Sequence, residues 1–214
     1  MPPISPTDLR SDVGSKAGLA LALVAAAAWA ALAPPERSLG DGIRVVYLHV
    51  AATMAGLTCL YGVGLVGAVA AFQPLGLAET RLRSVWIAGL AAFALGFVLS
   101  LVSATVSWGG IFWAEPRVRA SLGVGAVGLV ALAVHGSLGA GRVRHLVWPV
   151  SALLAFVLLG SAPLYVHPDH PVQRTTPLGI RAAFIGISIC LLVASLCLAR
   201  LLHGAEAGHR SDPD

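Results

Sequence analysis

Three short stretches hold most of the side chains able to bind or react. The first is RVVYLHVAAT, Arg44 to Thr53, in which His49 sits inside a long apolar run. An ionisable group there is expensive and usually has a partner or a ligand. Thr53 lies one helical turn on, and Gly56 is close to the same face. That spacing predicts room for something flat beside the imidazole, or else a histidine hydrogen-bonded to a neighbouring helix. The second stretch is SWGGIFWAEPRVRAS, Ser107 to Ser121. Trp108, Phe112 and Trp113 suit an interfacial aromatic belt. Gly109 and Gly110 also let the chain bend towards a ligand, and the forks of Arg117 and Arg119 suit carboxylates. Glu115 stands between the rings and the arginines. The third stretch is PLYVHPDHPVQRTTP, Pro163 to Pro177. It carries His167, His170, Asp169 and Arg174 among four prolines, which stiffen it and argue against a helix.

Taken together, these groups offer two histidine sites, an aromatic platform and several arginines, Arg44 among them. Haem wants that combination: axial nitrogens, flat apolar contact and clamps for its propionates. His49 and His167 are the expected axial ligands, with His170 as the alternative to His167. Trp108, Gly109, Gly110, Phe112 and Trp113 are the expected platform. Arg44, Glu115, Arg117, Arg119 and Arg174 supply charge around it. No metal other than haem iron is indicated. His135, His145, His203 and His209 lie near the other ends of the apolar runs or in the tail, and read as membrane anchors or solvated residues.

The elements that must position these groups are transmembrane helices. The 214 residues are 57% hydrophobic and only 11% charged, with a mean hydropathy of +0.83. That much apolar surface belongs against lipid. Six runs, near 17–33, 45–72, 85–106, 122–138, 146–164 and 180–202, mostly have the roughly 17–25 residues that cross a bilayer. None alternates with period two, so no barrel strand is expected. The prediction is an all-α integral membrane protein: one domain over 1–214, a six-helix transmembrane bundle with site-bearing external loops, and short polar tails at 1–16 and 203–214. Asp8 and Asp12 interrupt the basic leader that a signal peptide would have, so the first run is expected to remain as a span.

Six spans put both termini on one side. Of the fourteen Lys and Arg residues, eight fall on the terminal side, which leans towards cytoplasmic termini in an inner membrane. All three chemical stretches then face outward. The basic residues are scattered singly at run ends, which suits membrane anchoring and not nucleic acid. Cys59, Cys190 and Cys197 lie in apolar runs with no C-x-x-C pair, so neither dithiol chemistry nor covalent c-type haem is indicated. There is no G-x-S-x-G, H-E-x-x-H or phosphate-cradling glycine loop, and no enzyme is expected.

The residues also resemble a known family. RVVYLHVAAT is similar to the first histidine segment of the haem exporter protein C family of system I cytochrome c maturation, with Arg44, Tyr47, Leu48 and His49 in place. WGGIFWAEPRVRAS resembles that family's tryptophan-rich external motif: Trp108, Gly109 and Arg117 match, Phe112 and Glu115 are similar replacements, and Ile111 and Ala114 stand where tryptophans are usual. YVHP resembles the segment carrying the second histidine. The resemblance runs from about residue 17 to 202 and implies a divergent member. It implies non-covalent, transient binding of haem b at the outer membrane face and handover to a periplasmic haem chaperone. The implied partners are ATP-binding-cassette transporter subunits and a small membrane subunit. The rival expectations are a membrane cytochrome b in electron transfer and a non-haem transporter or structural subunit.

Overall fold

The computed structural model describes residues 6–36, 39–73, 79–139, 141–163 and 178–210. They form six helices: α1 Pro6–Leu32, α2 Ile43–Phe72, α3 Glu79–Trp108, α4 Pro116–Ser137, α5 Arg142–Ser161 and α6 Leu178–Arg210. Each includes a stretch long and apolar enough to cross a membrane. Leu21, Leu32, Leu65 and Phe72 are each at least 70% exposed, a cost that lipid removes and water would not. The chain is therefore a multi-pass, all-helical membrane protein.

Four helices begin well before their apolar runs, α1 at Pro6 among them. Helix α3 starts at Glu79, and its polar first turn continues the backbone hydrogen bonding beyond the hydrocarbon. Helix α4 starts at Pro116, whose fixed φ and missing N–H suit a first turn. Arg117 and Arg119 consequently lie in the first turn of α4 and not in a loop. Helix α5 likewise starts at Arg142. Helix α3 stops where Gly109 takes a φ of +76°, with its N–H closing onto the Thr105 carbonyl at 3.0 Å. That left-handed residue needs glycine.

Helix α2 is the hub, packed against α3, α5 and α6, while α1 packs mainly on α6 and α4 on α5. Small residues set the closest approaches, since close packing replaces the hydrophobic drive between helices in lipid. A Cβ on Gly56 would lie 2.6 Å from the Phe93 backbone nitrogen, and one on Gly96 would lie 2.6 Å from that of Thr53. On the other flank a Cβ on Gly64 would lie 2.5 Å from Ala152 Cβ. The buried side chains form two clusters. One joins α1, α2 and α6 around Tyr47 and Ile187. The other joins α2, α3, α4 and α5 around Trp86, Phe93 and Trp148.

The bundle has two distinct ends. At the distal end, Gly42 before α2 meets Val106 near the end of α3, and Gly179 of α6 meets Pro34 after α1. At the terminal end, Arg83 of α3 pairs with Glu206 of α6, and Arg144 of α5 pairs with Glu79 of α3.

Candidate functional site

The first turns of α2 belong to the distal end. The connection before them is tight: Glu36 and Gly40 exchange backbone hydrogen bonds of 3.2 and 2.7 Å. The Glu36 carboxylate also accepts the Leu39 N–H at 3.0 Å. Arg44 pairs with Asp41 at 3.2 Å. Tyr47 turns the other way, fully buried among the α1 and α6 side chains.

His49 is half-buried on the α3 side of α2, with its Nδ1 2.8 Å from the carbonyl oxygen of Gly96. A carbonyl only accepts, so Nδ1 carries a proton and donates it there. The Thr53 hydroxyl donates to the His49 carbonyl at 2.9 Å. The sequence leaves two readings of this region, and the geometry favours contact with a neighbouring helix. The space beside Thr53 and Gly56 is not open: α3 fills it with the backbone of Gly89, Phe93 and Gly96. Two small side chains on one helix invite a second backbone as readily as a flat ligand.

The aromatic stretch forms the rim of the same end. Ile111, Phe112 and Trp113 are exposed, as is Trp108 at the last position of α3. Ser100, Leu101, Ala104 and Trp108 of α3, Ile111 and Phe112 of the connection, and Glu115 and Val118 line one cleft. Glu115 is only 5% exposed. Its carbonyl accepts the N–H groups of Val118 and Arg119 at 3.1 and 3.2 Å, which starts α4. Arg117 keeps a buried Nε with no hydrogen-bond partner, while Arg119 is exposed.

The fold thus brings Trp108, Phe112 and Glu115 to one cleft, with Arg117 following in the first turn of α4. It holds His49 deeper at the same end. The α3 carbonyl that His49 meets, that of Gly96, lies one helical turn below Ser100, where the aromatic cleft begins. His167, His170 and Arg174 lie outside the described residues.

The terminal end holds groups that the sequence reading placed wrongly. His135 is not a solvated anchor: it is 1% exposed. Its ring stacks on Trp148 with centroids 4.3 Å apart, and Arg144 Nε donates to its Nε2 at 3.2 Å. Trp148 lies against Trp86 at 5.0 Å, and Trp86 donates its indole N–H to the Gly128 carbonyl at 3.1 Å. Glu79 takes Arg144 on one oxygen at 2.8 Å and His145 on the other at 3.4 Å. The signal was present in the spacing. Val124, Gly128, Ala131 and His135 recur at intervals of about 3.6, the buried face of one helix. Nearness to a helix end does not reveal that face.

Among the described residues, no group of three His, Cys, Asp or Glu side chains could hold a metal ion. A single histidine with a partner from elsewhere remains compatible with haem iron. No family model and no curated protein matches the chain. The geometry of the two ends therefore carries the functional reading.

Proposed function

We propose that this chain is a haem-handling membrane protein of the cytochrome c maturation type, which binds haem transiently at its distal end and passes it on. The observation that carries the reading is the pairing at one end of an ionisable ring inside a span with exposed aromatic side chains beyond it. His49 has its Nδ1 on a backbone carbonyl, the arrangement usual for a metal-ligating histidine. Trp108 and Phe112 line a cleft that Glu115 closes, and Arg117 in the first turn of α4 has a buried donor without a partner. This donor set fits haem: nitrogen for iron, rings for the macrocycle, guanidinium for a propionate. In this reading His49 and His167 are the axial ligands, with His170 the alternative. Trp108, Gly109, Gly110, Phe112 and Trp113 form the platform, and Arg44, Arg117, Arg119 and Arg174 hold charge around it. When bound, the haem supplies the cargo, and the protein's part is to hold, orient and release it.

The distal end then faces the periplasm from the inner membrane, with both termini cytoplasmic. A periplasmic haem chaperone, transporter subunits and a small membrane subunit are the partners. A membrane cytochrome b would use His49 as well. The exposed rings favour handover over it, because a resident electron-transfer haem is better served by a closed pocket.

Pyridine haemochrome analysis of purified wild type beside His49→Ala and His167→Ala tests the reading. Wild type should retain haem, and each variant should lose most of it. Equal haem in all three would reject both ligands. Haem that never transfers to an added chaperone would favour the cytochrome.

A further inference from the structure

His135 stands in the last turn of α4 and is 1% exposed. Its Nε2 meets Arg144 Nε of α5 at 3.2 Å. A guanidinium carries only donors and does not lose its proton in proteins. Nε2 is therefore the acceptor and holds a bare lone pair. An imidazole with one bare nitrogen is neutral, with its proton on the other, here Nδ1. The contact thus admits one protonation state. A proton on Nε2 would abolish the bond and set an imidazolium against a guanidinium.

The charges around the ring do not relieve that clash. Arg144 and His145 of α5 and Glu79 and Arg83 of α3 reach it. Of these Glu79 alone is anionic, and its two oxygens already face Arg144 at 2.8 Å and His145 at 3.4 Å. Arg83 is held by Glu206 of α6. A proton on His145 meets the Glu79 carboxylate and finds opposite charge. A proton on His135 meets Arg144 and finds like charge. Two neighbouring histidines therefore answer acid in opposite senses.

Packing does not call for a histidine at this place. His135 Nδ1 and Trp148 Nε1 are both buried without a hydrogen-bond partner, a cost that an apolar side chain at 135 would reduce. Helix α4 packs mainly on α5, and His135 ties its last turn there through Arg144 and through the ring of Trp148, 4.3 Å away between centroids.

We propose that His135 and Arg144 form a proton-sensitive latch, which holds the last turn of α4 on α5 while the imidazole is neutral and opens when Nε2 takes up a proton. On opening, the Arg144-to-Nε2 bond is lost, Arg144 stays on Glu79, and the α4 turn moves off with its new charge. The latch contributes its full stability above about pH 6.5, where an ordinary histidine is neutral, and loses it as the pH falls below that. It does not depend on what the distal end binds.

Thermal unfolding of the full-length protein in detergent, followed from pH 8 to pH 5, tests this. Wild type is compared with His135→Gln, whose side-chain carbonyl can accept from Arg144 but does not titrate. The Tm difference between them should be constant above about pH 7 and should move against wild type by about 3–5 °C per pH unit below about pH 6.5. His145→Gln should keep the wild-type slope. A Tm difference that stays constant down to pH 5 would overturn the proposal, as would a slope lost in His145→Gln. Arg144→Gln keeps an N–H for Nε2 but removes the opposing charge, so it should flatten the slope, and a full slope there would also count against the latch. That variant decides should His135→Gln fail to fold. In lipid nanodiscs at pH 7.5, nitrogen-15 spectra assigned through the backbone should show His135 with a protonated Nδ1 and a bare Nε2. A proton on Nε2 at that pH would reject the latch outright.

Discussion

The two ends of the bundle use polar groups in opposite ways. At the terminal end they are turned on one another. Glu79 bridges Arg144 and His145, Arg83 meets Glu206, and His135 lies between Arg144 and Trp148. Those contacts tie α3, α4, α5 and α6 in one network. At the distal end the rings of Trp108, Phe112 and Trp113 are exposed, and Arg117 in the first turn of α4 has a buried Nε with no hydrogen-bond partner. A histidine enclosed by tryptophans and a histidine below an open aromatic rim are the same residue type in different service. The terminal end holds helices together, while the distal end leaves aromatic rings exposed.

The largest effect expected on stability is at the terminal end. Trp148→Ala removes a fully buried ring that stacks on both His135 and Trp86, and should cost about 3–5 kcal/mol. Unfolding in detergent would report it, and haem bound per folded molecule should not change. A loss of haem in the folded fraction would erase the distinction between the ends. Gly64→Ala comes next. Its new methyl meets Ala152 Cβ, an overpacking expected to cost about 1–3 kcal/mol. Glu79→Gln should cost a similar or smaller amount, about 1–3 kcal/mol, because it leaves Arg144 and His145 without their shared carboxylate. Its haem titration should overlay that of wild type.

At the distal end the order of sensitivities reverses. Trp108→Ala with Phe112→Ala should change stability by no more than about 0.5 kcal/mol. Haem affinity should fall about tenfold, since each lost ring contact is worth roughly 0.5–1.5 kcal/mol. Arg119→Ala is the mildest, an exposed charge whose removal should change mainly the salt dependence of association. A large stability loss in either variant would mean that the rim is packed structure and not a binding surface.

The sequence made the bundle legible because hydropathy is a one-dimensional property of the chain. All six spans follow from it. The helix starts did not, since Glu79 and Pro116 begin helices in polar segments where hydrogen bonding, not hydropathy, decides. His49 stood out because an ionisable residue in an apolar run is costly wherever its neighbours are. Its partner was not legible: a backbone carbonyl leaves no trace in residue type. Gly96 could be seen only as a small residue on a packing face. His135 is buried although it lies near a helix end, because it stands on the packed face of α4. Its surroundings, Trp86, Trp148 and Arg144, come from two other helices, and only packing assembles them.

The central claim is that the distal histidine serves a ligand and the terminal one serves the fold. Haem content per folded molecule in His49→Ala and His135→Ala, measured side by side after reconstitution, tests it most directly. The account predicts that His49→Ala loses haem while remaining folded, and that His135→Ala is less stable but keeps haem in the fraction that folds. Haem retained by His49→Ala, or lost from well-folded His135→Ala, would contradict it.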